Sequence, residues 1–121
     1  MSPAILLRAL LAAAAVLAAT AVQSQPAARV DDPTNHGGVV LPPGSPDVFI
    51  EGRPAVRQND RITCPLFSGL VPHVGGPIVT ASGNVFINGR PAARSGDTVS
   101  EEGTSSRIAG GSETVFINTG Q

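Results

Sequence analysis

Apolar residues in this chain come in short bursts separated by turn formers. Val39-Val40-Leu41, Val48-Phe49-Ile50, Ile78-Val79, Val85-Phe86-Ile87, Ile108-Ala109 and Val115-Phe116-Ile117 are each two or three residues long, with Gly, Pro, Asn, Asp, Ser or Thr close by. Such bursts read as short strands. Side chains alternate faces along a strand. Val and Ile of each Val-Phe-Ile phrase should therefore point one way and Phe the other, with the phenylalanines in equivalent positions. Asn88-Gly89 follows one phrase and is a strong hairpin signal, because both residues accept positive φ. Glu51-Gly52 holds the same place after another. Pro54 and Pro91 cannot donate to a ladder, so strands should stop or reach an edge there.

The first two Val-Phe-Ile phrases lead directly into an arm that is itself repeated. Pro26-Ala27-Ala28-Arg29…Asp32…His36, Pro54-Ala55-Val56-Arg57…Asp60…Cys64 and Pro91-Ala92-Ala93-Arg94…Asp97…Glu101 keep one register without a gap. A repeat of this kind implies one small unit used several times. The first arm has no Val-Phe-Ile before it, and the last Val-Phe-Ile has no arm after it. One unit should therefore be split between the two ends of the domain and closed by their pairing, placing Phe116 near Ala27. The arginine and aspartate of each arm, three residues apart, read better as a structural pair than as a recognition surface. The glycine pairs at 37–38, 75–76 and 110–111 are expected to supply tight bends.

Composition narrows the class. The chain has 121 residues, enough for one domain, with 14 glycines, 11 prolines and only 4 aromatic residues. The longest stretch free of Gly and Pro beyond residue 25 is Ala55 to Cys64, and it holds middling helix formers. The expected fold class is all-β: a small, pseudo-threefold repeat domain over 26–121, closed by its N- and C-terminal segments. A core this modest needs a staple. One cysteine excludes an intramolecular disulfide and leaves a metal or a partner. The net charge is −1, with scattered arginines and no lysine, so no basic face exists for nucleic acid.

Residues 1–25 are of another kind. The apolar run Ala9 to Val22 follows Arg8, and Ala19-Thr20-Ala21 offers a small-residue cleavage site. Its length suits a signal peptide better than a membrane span. A retained short membrane-seeking helix, or a start of translation near Val22, are the other readings.

The ligand end of the arms carries the candidate chemistry. His36, Cys64 and Glu101 fill one repeat position, and His73 is an additional donor. Imidazole, thiolate and carboxylate suit zinc in a closed structural site, with iron the other candidate. Glu102 or water are alternatives to Glu101 as fourth ligand.

Taken together, the repeated Pro-Ala-Ala-Arg element, Asp32-Pro33-Thr34-Asn35-His36-Gly37-Gly38, Cys64-Pro65, Pro72-His73-Val74-Gly75-Gly76-Pro77 and Val85-Phe86-Ile87-Asn88-Gly89 resemble the PAAR-domain family. The resemblance covers about residues 26 to 119. It implies a small conical β protein on the tip of the trimeric VgrG spike of a type VI secretion system. It also implies one zinc ion held at His36, Cys64 and His73. The family commonly has Cys or His where this chain has Glu101. Some members carry an N-terminal membrane segment held by a chaperone, and many carry effectors; here cargo would be a separate protein.

The function expected from this is a non-enzymatic spike tip, a monomer on a trimeric partner. It would be assembled in the cytoplasm and secreted by the type VI system. An independently exported zinc-binding module of the periplasm or surface is the alternative, motivated by the signal-like start. A zinc hydrolase using Glu102 as base is a lesser reading, since the chain has no nucleophile–base pair.

Overall fold

The structure is a computed structural model describing residues 24–72, 75–101 and 104–118. The signal-like segment, apart from its last two residues, and also His73 and Glu102 lie outside the described residues. Among the described residues there is no helix, and the strands form two-stranded antiparallel pairs. In chain order they are β1 (Ser24–Pro26), β2 (Phe49–Ile50), β3 (Arg53–Pro54), β4 (Arg61–Ile62), β5 (Phe67–Ser68), β6 (Val71–Pro72), β7 (Gly76–Pro77), β8 (Phe86–Ile87), β9 (Arg90–Pro91), β10 (Thr98–Glu101), β11 (Thr104–Arg107) and β12 (Phe116–Asn118).

The hairpins form as their turn residues require. β2 pairs with β3 and β8 with β9. Their turns hold Glu51 and Gly52 at φ 53° and 81°, and Asn88 and Gly89 at 54° and 76°. Positive φ at both central positions is the type I′ geometry that matches strand twist. Both second strands end on their proline. Without any turn, β1 and β12 reproduce the same ladder from the two chain ends: Pro26 faces Phe116 as Pro54 faces Phe49 and Pro91 faces Phe86. Ala27 then donates its N–H to Val115, as Ala55 does to Val48 and Ala92 to Val85. The third unit is thus assembled from the two chain ends, and Phe116 stands beside the Pro26-Ala27 step as expected.

The arms meet in a closed cycle. The N–H of Ala28 donates to the carbonyl of Ala93 at 3.1 Å, Ala93 to Val56 at 2.9 Å, and Val56 to Ala28 at 3.2 Å. Because faces alternate along each arm, this ring divides the core. Ala27, Ala55 and Ala92 pack on one side with Ile50, Ile87 and Ile117. Ala28, Val56 and Ala93 pack on the other with Val40, Ile62, Ile78, Val99 and Ile108. Burying this apolar surface is what holds such short strands in place.

Beyond the ring, each arm bends back in a turn built on its Arg-x-x-Asp. The aspartate N–H donates to the arginine carbonyl at 3.1 Å in all three copies. The aspartate Oδ2 accepts the arginine N–H at 2.7, 2.9 and 2.6 Å. Just before the aspartate, Asp31, Asn59 and Gly96 have φ of 73°, 75° and 92°. These are residue types that tolerate the left-handed region. The three guanidinium–carboxylate pairs also close, at 3.0, 3.0 and 2.8 Å. The pairs therefore hold the arms, as the structural reading of the sequence had it.

Two expectations change. Val39-Val40-Leu41, Ile78-Val79 and Ile108-Ala109 are not strands but make single bridges, Val39 to Pro33, Val40 to Ile62, Ile78 to Val99 and Ile108 to Thr34. The backbone polar groups of these segments are shared with neighbouring arms instead of running along one partner. The glycine pairs provide room as well as bends: Gly37 and Gly75 do hold positive φ, 80° and 69°. A Cβ on Gly38 would sit 1.8 Å from the carbonyl of Thr63, and one on Gly76 would sit 1.9 Å from that of Ser100. Gly110 and Gly111 have no positive φ, and a side chain there would strike Pro33 or Pro26.

Candidate metal centre

After the turn, each arm runs toward one end of the molecule with its side chains alternating. Thr34, Ile62 and Val99 point inward and are buried. They join a second cycle of bridges, Thr34 with Ile108, Ile62 with Val40 and Val99 with Ile78. Two residues further on, alternation returns the side chain to the inside. Those positions are His36, Cys64 and Glu101.

The three side chains converge. Their potential ligand atoms all lie within 4.8 Å of one another. His36 Nδ1 is 3.8 Å from Cys64 Sγ and 3.8 Å from Glu101 Oε2. Zinc bonds of about 2.0 Å to nitrogen or oxygen and 2.3 Å to sulfur put tetrahedral ligand atoms roughly 3.3–3.8 Å apart. The observed spacing suits an ion at the centre after little adjustment.

Local structure aims each donor. Thr34 Oγ1 accepts the N–H groups of His36, at 3.3 Å, and Gly38, at 3.1 Å, and so shapes the turn that presents the imidazole. Cys64 follows β4 and packs against the apolar layer. Glu101 ends β10, and its side chain is wholly buried. A carboxylate taken out of water beside a thiol is costly without positive charge near it. Burial pushes the Cys64 thiol pKa up, and Glu101 adds to that rise through its hydrogen bond and charge, against a lowering contact from the Leu66 backbone. A divalent cation between the two groups would reverse this balance and stabilise both anions. The donor set therefore fits a thiolate-tolerant divalent metal.

Of the residues singled out in the sequence, His36, Cys64 and Glu101 are brought together. His73 and the alternative Glu102 lie outside the described residues. Sequence reasoning passed over Ser106, whose Oγ donates to Glu101 Oε1 at 2.6 Å. Its signal was the in-out alternation of Thr104 to Arg107, which no repeat marks.

A search of curated proteins returns no match for the chain. A family model does match it, that of the PAAR motif, over residues 30–70 and again over 68–121. Together these matches take in most of the chain, including all three converging donors and the repeated arms from Val30 onward, and the chain accordingly belongs to the PAAR motif family, whose members are tied to type VI secretion.

Proposed function

We propose that this chain is a structural, non-enzymatic spike tip that caps the trimeric VgrG spike of a type VI secretion system. The observation that carries this is the closed cycle Ala28–Ala93–Val56. It puts three matching arms around one axis, with the donors on one side of it and the three Val-Phe-Ile strand pairs on the other. The reading takes the domain as a conical plug, with the donors at its point and the Val-Phe-Ile side as its base. On the wider side, Phe49, Phe86 and Phe116 are 57%, 58% and 55% exposed, related by the same repeat. Three equivalent apolar spots complement a partner that itself has threefold symmetry.

At the narrow end, one zinc ion would be held by His36, Cys64 and Glu101, with His73 as the further ligand. Binding energy at such a site becomes folding energy, which suits a point that must stay stiff. Effector cargo would travel with it, and the tip would leave the cell on the fired spike.

Co-expression with the cognate trimer tests the reading. The chain should co-purify as one copy per trimer. Phe49→Asp, Phe86→Asp and Phe116→Asp combined should abolish this while the melting temperature holds. Capture that ignores the triple change would overturn the docking face. The apolar run Ala9 to Val22 supports a second reading, an independently exported metal-binding module. N-terminal sequencing separates the two: cleavage after Ala21 in periplasmic material favours export.

A further inference from the structure

The β10–β11 hairpin puts a hydroxyl behind the carboxylate donor. Val99 pairs with Ser106 and Glu101 with Thr104, so Glu101 and Ser106 are diagonal neighbours on one face. That face is the inward one: Val99, Glu101 and Ser106 are buried while Ser100, Ser105 and Arg107 are exposed. Ser106 is 2% and Glu101 4% exposed. Ser106 Oγ donates to Oε1 at 2.6 Å. The other oxygen, Oε2, faces His36 Nδ1 at 3.8 Å.

We propose that Ser106 is a positioning residue of the metal centre. Its hydroxyl holds Oε1, sets the carboxylate plane, and leaves Oε2 as the single oxygen offered to the ion. The inference deepens the metal-centre reading above and rests on it. A glutamate left to rotate can chelate with both oxygens, which suits larger, higher-coordinate cations such as calcium. A glutamate held by one oxygen gives the single bond of a tetrahedral zinc site. The hydrogen bond also fixes a long side chain before the ion arrives, which lowers the entropy lost on binding. Such outer partners are typically worth a factor of about 10–100 in metal affinity.

The test uses the full chain and zinc itself. Affinity is measured by competition with a chromophoric chelator, and geometry by the visible absorption of the cobalt(II)-loaded protein. Ser106→Ala should weaken zinc by about 10–100-fold and change the intensity of the cobalt bands. Ser106→Thr should restore most of the affinity, and Ser106→Val, of the same shape, should not. In a Glu101→Gln background, Ser106→Ala should cost nothing more, because the two act as one unit. Melting of the chelated proteins verifies the fold, and the Thr and Val pair serves if alanine unfolds the chain. Unchanged affinity and cobalt spectrum in Ser106→Ala, or an equal loss in the Gln background, would overturn the proposal. A neutral, hydrogen-bonded carboxyl at Glu101 would give that first result. Wild-type chain that takes up no zinc would instead overturn the metal centre, a separate failure.

Discussion

The two sides of the alanine ring treat the same repeat in opposite ways. On the Val-Phe-Ile side, Ile50, Ile87 and Ile117 are the same residue three times and are buried to nearly the same degree, 7%, 8% and 6%. On the donor side, equivalent positions hold Thr34, Ile62 and Val99, and then His36, Cys64 and Glu101. Packing around an axis asks for identical shapes, so the repeat is kept where packing is the task. Coordination works with dissimilar donors, so the repeat diverges where chemistry is the task. Backbone geometry is common to both sides, and it is what lets unlike side chains land at one point.

Metal removal should separate the two sides most sharply. Structural zinc contributes about 10–16 kcal/mol in small domains at neutral pH. Even a third of that would lower the melting temperature by at least about 13 °C, at roughly 4–8 °C per kcal/mol. Calorimetry with and without excess chelator reads this. A melting temperature indifferent to chelator would place the stability of the domain in its packing alone.

Next in size is the loss of an arm clamp. Asp32 accepts from Arg29 at 3.0 Å and from Arg53 of the next unit at 2.9 Å, and its side chain is 3% exposed. Asp32→Ala would leave two guanidinium groups without their carboxylate and should cost about 3–5 kcal/mol, read by urea unfolding. Asp97→Ala should cost less, because among the described residues Asp97 holds Arg94 and Thr80 but meets no arginine from a neighbouring unit.

The equivalence of the Val-Phe-Ile side can be broken directly. Ile50→Ala, Ile87→Ala and Ile117→Ala should each cost about 2–4 kcal/mol, and the values should agree within about 1 kcal/mol. Metal stoichiometry should stay unchanged in all of them. One value far below the others would mark that unit as loosely packed, with β12 the informative case.

The smallest effect concerns the joint between chain ends. Gln25 faces Ile117 where Arg53 faces Ile50 and Arg90 faces Ile87. Arg53 and Arg90 each reach the aspartate of the preceding arm, Asp32 and Asp60. Gln25→Arg should add the missing link to Asp97 and stabilise by about 0.5–1 kcal/mol. A destabilised variant would show that the split unit is not equivalent in detail.

Much of this was legible in the residues. The gapless Pro-Ala-x-Arg-x-x-Asp register announced three equal arms, and its continuation to His36, Cys64 and Glu101 named the converging donors. The orphaned first arm and last Val-Phe-Ile announced the joining of the ends. Other features were written but passed over. Ser45, Ser82 and Ser112 each stand three residues before a Val-Phe-Ile phrase, and each hydroxyl accepts the N–H of that valine at 2.9, 3.1 and 2.8 Å. This is a turn signal with a mechanism, and it repeats as faithfully as the arm.

Sequence alone determined the unit, its number and the position in each copy that carries chemistry, because periodicity is a one-dimensional property and side-chain alternation follows from it. Only the tertiary structure decided how closely the copies approach. Gly38 and Gly76 are glycine because a neighbouring carbonyl occupies the space of a Cβ. Ser106 matters because it stands diagonally behind Glu101 in a hairpin. Contacts of this kind depend on distances between segments far apart in the chain, and no local pattern of residues encodes them.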